Sequence, residues 1–179
     1  GYILANLKTE NRHIYAKEGF IIVALSWVVV SLVGALPFYI SGEIPNYIDA
    51  FFETVSGFTT TGSTILNDIE ALSRGMLFWR CFTHWIGGMG VLVFVLALIP
   101  KSEGQDMFLM KAEVPGPVVG KLVSKVHMTA RILYGIYAFL TVIEIIFLLF
   151  GGMPLFDSIV HAFSTAGTGG YAIKNSSIA

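Results

Sequence analysis

The sequence predicts an all-α membrane protein built from a repeated unit of span, short re-entrant helix, Thr/Gly loop and second span. Three observations predict it. Of the 179 residues, 55% are hydrophobic and only 13% are Asp, Glu, Lys or Arg, about half the charged share of a soluble domain. Three stretches are long and apolar enough to cross a bilayer. One short motif occurs twice, each time after such a stretch.

Residues 1–19 open on an apolar run, Tyr2 to Leu7, and pass into the charged stretch 8–18. They read as the cytoplasmic end of a preceding helix and a linker, since a signal peptide has the reverse order of basic and apolar parts. Residues 20–40 carry no Asp, Glu, Lys, Arg or His, and a helix of that length covers the roughly 30 Å of a hydrocarbon core. This is the first span. Residues 47–58 suit a helix of only about 18 Å, too short to cross, with Pro45 and Asn46 as start signals and Gly57 near its end. The loop 59–64 follows, reading Thr-Thr-Thr-Gly-Ser-Thr, and a second span is expected over 75–100. Together, 20–100 form a first repeat.

The linker 101–125 contains Pro115 and Pro117, which interrupt a helix. Residues 126–179 then form an incomplete second repeat, with a span at 132–150, a short helix at 154–163 and a loop at 164–170. Charge orients the chain. Lys8, Arg12 and Lys17 precede the first span, and Lys101, Lys111, Lys121 and Lys125 lie in the linker, whereas residues 41–73 hold no Lys or Arg. The positive-inside rule makes 1–19 and 101–125 cytoplasmic and turns 41–73 outward in a multi-pass chain.

Irregular backbone is tolerated at membrane depth only where protein or a watery cavity surrounds it. A short helix entering from outside aims its partly negative carboxyl end, with unpaired carbonyls, at the membrane centre. That end favours a cation, and the Thr/Gly loop beyond it offers backbone carbonyls that replace a hydration shell. Residues 51–63 align with 156–168 at an offset of 105, pairing Phe51 with Phe156, Val55 with Val160, Phe58 with Phe163, Thr60 with Thr165 and Gly62 with Gly167.

Other classes are poorly served. With 11 basic against 12 acidic residues there is no cationic surface for nucleic acid. Cys81 is the lone cysteine, and reads as a packing residue. His13, His84, His127 and His161 lack ligand spacing, and the carboxylates form no close catalytic set. Gly87, Gly88 and Gly90 follow no strand, so they read as a close helix approach rather than a nucleotide loop. Neither an enzyme, a fixed metal site nor a cofactor is expected.

The stretches FFETVSGFTTTGST at 51–64, WIGGMG at 85–90, AEVPGP at 112–117 and HAFSTAGTGGY at 161–171 resemble the Trk/Ktr/HKT superfamily of potassium transporters, and within it the bacterial TrkH-type uptake subunits. The resemblance implies four successive span, pore-helix, span repeats around one ion path, of which this chain holds one and part of a second. It implies a potassium selectivity filter with Thr59, Thr60, Thr61, Gly62 and Ser63 as its first strand and Ser164, Thr165, Ala166, Gly167 and Thr168 as its second, Gly62 and Gly167 being the key glycines. It also implies a bacterial inner-membrane location among lipid, potassium as the transported ion, a homodimer of the full-length subunit and a cytoplasmic nucleotide-binding regulatory subunit. The rival readings are a non-conducting membrane scaffold or truncated product, and a sodium-permeable relative.

Two ionisable residues inside spans stand as secondary candidates. Arg80 either snorkels outward or pairs with an acidic residue of the short helix such as Glu53, or serves the ion path. Glu144 is either a proton-coupled or ion-coordinating carboxylate or a hydrogen-bonded packing residue.

Overall fold

The computed structural model describes residues 16–90 and 126–176, and among them every regular element is a helix. In chain order these are α1 (Ala16–Gly34), α2 (Leu36–Ile40), α3 (Tyr47–Phe58), α4 (Arg74–Gly88), α5 (Val126–Phe150) and α6 (Leu155–Ala166).

The first expected span lies across two helices rather than one. Pro37, in the first turn of α2, has no N–H and its ring crowds the preceding turn, so the helical run divides at Ala35. Helix begins at Ala16, inside the linker expected over 1–19; residues 1–15 lie outside those described. The apolar stretch Phe20–Ile40 is only 22% buried, and Ala130–Phe150 only 6%. A core helix of a water-soluble protein would be mostly buried, so surfaces this apolar and this open suit lipid as solvent.

Caps explain where α3 and α4 start. Asn46 Oδ1 accepts the Ile48 N–H at 3.0 Å, and Asp49 sits in the first turn of α3, where it favours the positive end of the helix. Ser73 caps α4 and is itself held by Glu43, with Ser73 Oγ donating to Oε1 at 2.6 Å. The unbroken span expected over 75–100 does not form. α4 ends at Gly88, and Gly90 takes a left-handed φ of 81°, a conformation that closes helices because glycine adopts it without a Cβ penalty. Residues 91–125, with the last ten residues of that expected span and the whole linker, lie outside the described residues.

α4 is the hub, packed against both α3 and α6, while α5 lies on α6 and α1 on α3. Leu72, Leu77, Cys81, Val160, Tyr171 and Ile173 form one apolar cluster, so Cys81 is the packing residue expected. Trp79 Nε1 donates to Gly34 O at 3.0 Å, tying α4 to α1. Trp85 Nε1 donates to Thr141 Oγ1 at 3.1 Å, and Tyr137 O–H to Trp85 O at 3.0 Å, tying α4 to α5.

Candidate functional site

Two loops, one at the carboxyl end of α3 and one at that of α6, meet against α4. Both short helices have 12 residues, and they begin 108 residues apart. The same interval relates their exits. Thr59, Thr60 and Thr61 donate their N–H groups to Val55, Gly57 and Ser56, and Gly167, Thr168 and Gly169 donate to Phe163, Thr165 and Ser164. Thr60 and Thr168 have φ of 53° and 58°, and Gly62 and Gly170 have 77° and 79°. The structural repeat is therefore 108 residues, not the 105 of the sequence alignment.

This corrects the second loop. α6 runs three residues past the expected 154–163, so Ser164, Thr165 and Ala166 are helical, and the loop begins at Gly167. The helix continues because nothing between His161 and Ala166 breaks it, and the Thr165 hydroxyl bonds back to His161 O at 2.9 Å. Gly167 is the C-cap with φ −73°, matching Thr59 and not Gly62. The counterpart of Gly62 is Gly170, which the sequence alignment missed.

In the first loop, Thr59 Oγ1 bonds Val55 O at 2.7 Å and Thr61 Oγ1 at 2.8 Å. The Gly62 Cα abuts the carbonyl of Gly169, where any Cβ would overlap, so the two loops touch directly. Gly167 likewise packs against the carbonyl of His84, where a Cβ would also overlap. Ser164 is buried, with its Oγ 3.4 Å from His84 Nδ1.

Beneath the loops, Arg80 Nε donates to Glu53 Oε1 at 2.6 Å, with the two side chains 2% and 0% exposed. Pairing, rather than snorkelling, is thus the place of Arg80. A buried carboxylate must fill its lone pairs, and Glu53 also accepts from Thr64 Oγ1 at 2.9 Å and from Ile65 N–H at 3.1 Å. Arg80 Nη1 donates to Ala172 O at 3.0 Å, and its guanidinium lies 3.5 Å from the centre of the Tyr171 ring. Tyr171 also stacks on His84, with ring centres 3.9 Å apart. Its hydroxyl donates to Glu53 O at 2.9 Å and Ser63 O at 3.2 Å. Burial, and then the Glu53 carboxylate, push the Tyr171 phenol above its ordinary range, so it stays an O–H donor. Glu144 sits half-buried on α5 and interacts with Thr165 in the last turn of α6.

A family model described as "TrkH: Cation transport protein" matches residues 2–179. The chain is 43% identical over 174 residues to the Trk system potassium uptake protein TrkH of Salmonella typhimurium, a match covering 96% of this chain and 36% of that protein. It is 37% identical over 173 residues to the Trk system potassium uptake protein TrkG of Escherichia coli K12, covering 96% and 36%. Its fold matches the crystal structure of the potassium transporter TrkH from Vibrio parahaemolyticus with a TM-score of 0.72 and 34% identity, over 96% of this chain and 34% of that one. The chain spans about a third of the length of these relatives.

Proposed function

Because the chain belongs to the TrkH family of cation transport proteins, we propose that it supplies two ion-selecting loops of a potassium uptake pathway. The observation that carries this reading is the matched pair of helix exits at residues 59–63 and 167–171, each with left-handed backbone at its second and fourth positions. In an extended strand successive carbonyls point to opposite sides. Left-handed residues at every second position rotate the intervening peptide planes, and so let neighbouring carbonyls turn toward one side. Carbonyls so gathered replace part of the hydration shell of an alkali cation, and the partial negative charge at the ends of α3 and α6 adds to the attraction.

In this reading the first strand is Thr59 to Ser63, as the sequence suggests, and the second is Gly167 to Tyr171. Ser164, Thr165 and Ala166 then contribute the last helical turn that feeds the site. Passage of an ion through such loops breaks no covalent bond, so no catalytic residue is assigned. The bacterial inner-membrane setting, the cytoplasmic placing of 1–19 and 101–125, the homodimer and the nucleotide-binding regulatory subunit belong to the same proposal, and rest on the positive-inside rule and the family resemblance.

The test is rubidium and sodium uptake into liposomes holding the full-length protein that carries this chain, wild type against Gly170→Ser. Rubidium preferred over sodium in the wild type, and a lost preference in the variant, support the reading. Absence of rubidium uptake by the folded wild type overturns it, and sodium taken up equally well would favour the sodium-permeable relative.

A further inference from the structure

We infer that Glu53, Arg80 and Tyr171 form one positioning brace that sets the distance between the two loops, and with it the discrimination between alkali cations; this rests on the ion-selecting role proposed above. The brace joins what the backbone leaves separate. Glu53 holds the end of the first loop through Thr64 and Ile65. Arg80, on α4, binds that carboxylate and also the carbonyl of Ala172 at the end of the second loop. Tyr171, a residue of the second loop, reaches back to the carbonyls of Glu53 and Ser63.

Two features set this apart from ordinary packing. A buried ion pair adds little net stability compared with apolar residues of the same shape, because desolvation offsets its attraction. What it does add is geometric: directed bonds with fixed lengths to both loops. Moreover, the brace is not repeated. At the interval of 108, Glu53 corresponds to His161 and Tyr171 to Ser63, so the second loop has no copy of its own, and the contact runs only from one loop to the other.

The bond from Tyr171 to Ser63 O also commits that carbonyl to the phenol. Ser63 thus offers its oxygen to the second loop, and the ion-facing carbonyls of the first loop come from residues before it. Selectivity depends on the number and field strength of the coordinating carbonyls. Releasing Ser63 O changes both.

The measurement is the ratio of rubidium to sodium uptake by the full-length protein in liposomes, for wild type and Tyr171→Phe. Phenylalanine keeps the ring against His84 and Arg80 and removes only the two hydrogen bonds. We expect the ratio to fall by about fivefold, the scale of one net hydrogen bond. Loss of packing alone would lower uptake of both ions and leave the ratio. An unchanged ratio beside a selective wild type overturns the brace and spares the ion-selecting role; a wild type without selective uptake overturns both. Thr64→Val, at an exposed position, is the second variant should Tyr171→Phe fail to assemble. It removes the hydroxyl that donates to the Glu53 carboxylate, 2.9 Å from both oxygens, and that accepts the Leu66 N–H; a ratio equal to wild type there overturns the brace as well.

Discussion

Gly170 stands 108 residues after Gly62 and repeats its left-handed backbone, with φ of 79° against 77°. Two residues earlier in each loop a threonine does the same, Thr60 at 53° and Thr168 at 58°. For a β-branched residue this region is a genuine outlier, costing about 1–2 kcal/mol per residue. Each threonine is held there by its N–H, bonded to Gly57 O at 3.1 Å or to Thr165 O at 2.8 Å. The same costly conformation recurs at the same place in the two loops, and strain of this kind gathers at functional sites.

The interval of 108 separates the roles of two glycines. A Cβ at Gly170 meets nothing within 4 Å, so Gly170→Ala bears only the left-handed strain, about 1 kcal/mol. The variant should assemble, and its rubidium preference over sodium should fall. Gly167 has an ordinary φ, but a Cβ there overlaps the carbonyl of His84. Gly167→Ala should therefore lower the melting temperature in detergent, by an overpacking cost of about 1–3 kcal/mol, and change the selectivity of the surviving protein less than Gly170→Ala does. The opposite pattern would restore the alignment at 105.

The buried pair makes a prediction about stability rather than transport. Arg80→Met leaves the Glu53 carboxylate without its charge partner, and Glu53→Leu leaves the guanidinium without its own. Each should destabilise by about 3–5 kcal/mol, because an uncompensated charge remains buried. The double variant removes both charges and should be more stable than the worse single one. Thermal unfolding of the four proteins in detergent checks this, and additive losses would mean that the two residues act independently.

Much of this arrangement is legible in the sequence, and the exceptions have physical causes. The two apolar stretches at 20–40 and 132–150 stand out by composition, and Asn46 marks the start of α3 because a cap has a side-chain signature. The alignment at 105 failed through periodicity. It differs from 108 by three residues, close to one helical turn, so aromatic and branched residues on one helix face match again after the slip. The correct interval was present in polar residues, which are not periodic: Asp49 and Asp157 each lie in a first turn, and Thr60 with Thr168 and Gly62 with Gly170 pair at 108. The ion pair is one of the alternatives that the sequence leaves open for Arg80, because an ionisable residue within an apolar stretch needs a partner or a path to water and Glu53 is an acidic residue of the short helix; its burial is what decides between them. The role of Tyr171 is not legible there, since its contacts to Glu53 and Ser63 cross more than a hundred residues and no local pattern reports them.

Close approach gives the last prediction, through two glycines that face different obstacles. A Cβ at Gly57 overlaps the Thr83 hydroxyl, whereas one at Gly87 overlaps the backbone carbonyl of Phe58. A side chain can be cut away and a backbone carbonyl cannot. Gly57→Ala should cost about 1–3 kcal/mol of stability and be partly rescued by Thr83→Ala, which removes the obstructing oxygen. Gly87→Ala should cost at least as much, with no rescue from any substitution of Phe58, because the carbonyl stays whatever the side chain. Gly135→Ala provides the contrast within the same measurement. Nothing lies within 4 Å of its Cβ position on α5, so the better helix propensity of alanine, about 1 kcal/mol over glycine, should raise the melting temperature. If Gly57→Ala and Gly87→Ala both behaved like Gly135→Ala, α3 and α4 would not be in contact, and the carboxyl end of α3 would have no backing from α4.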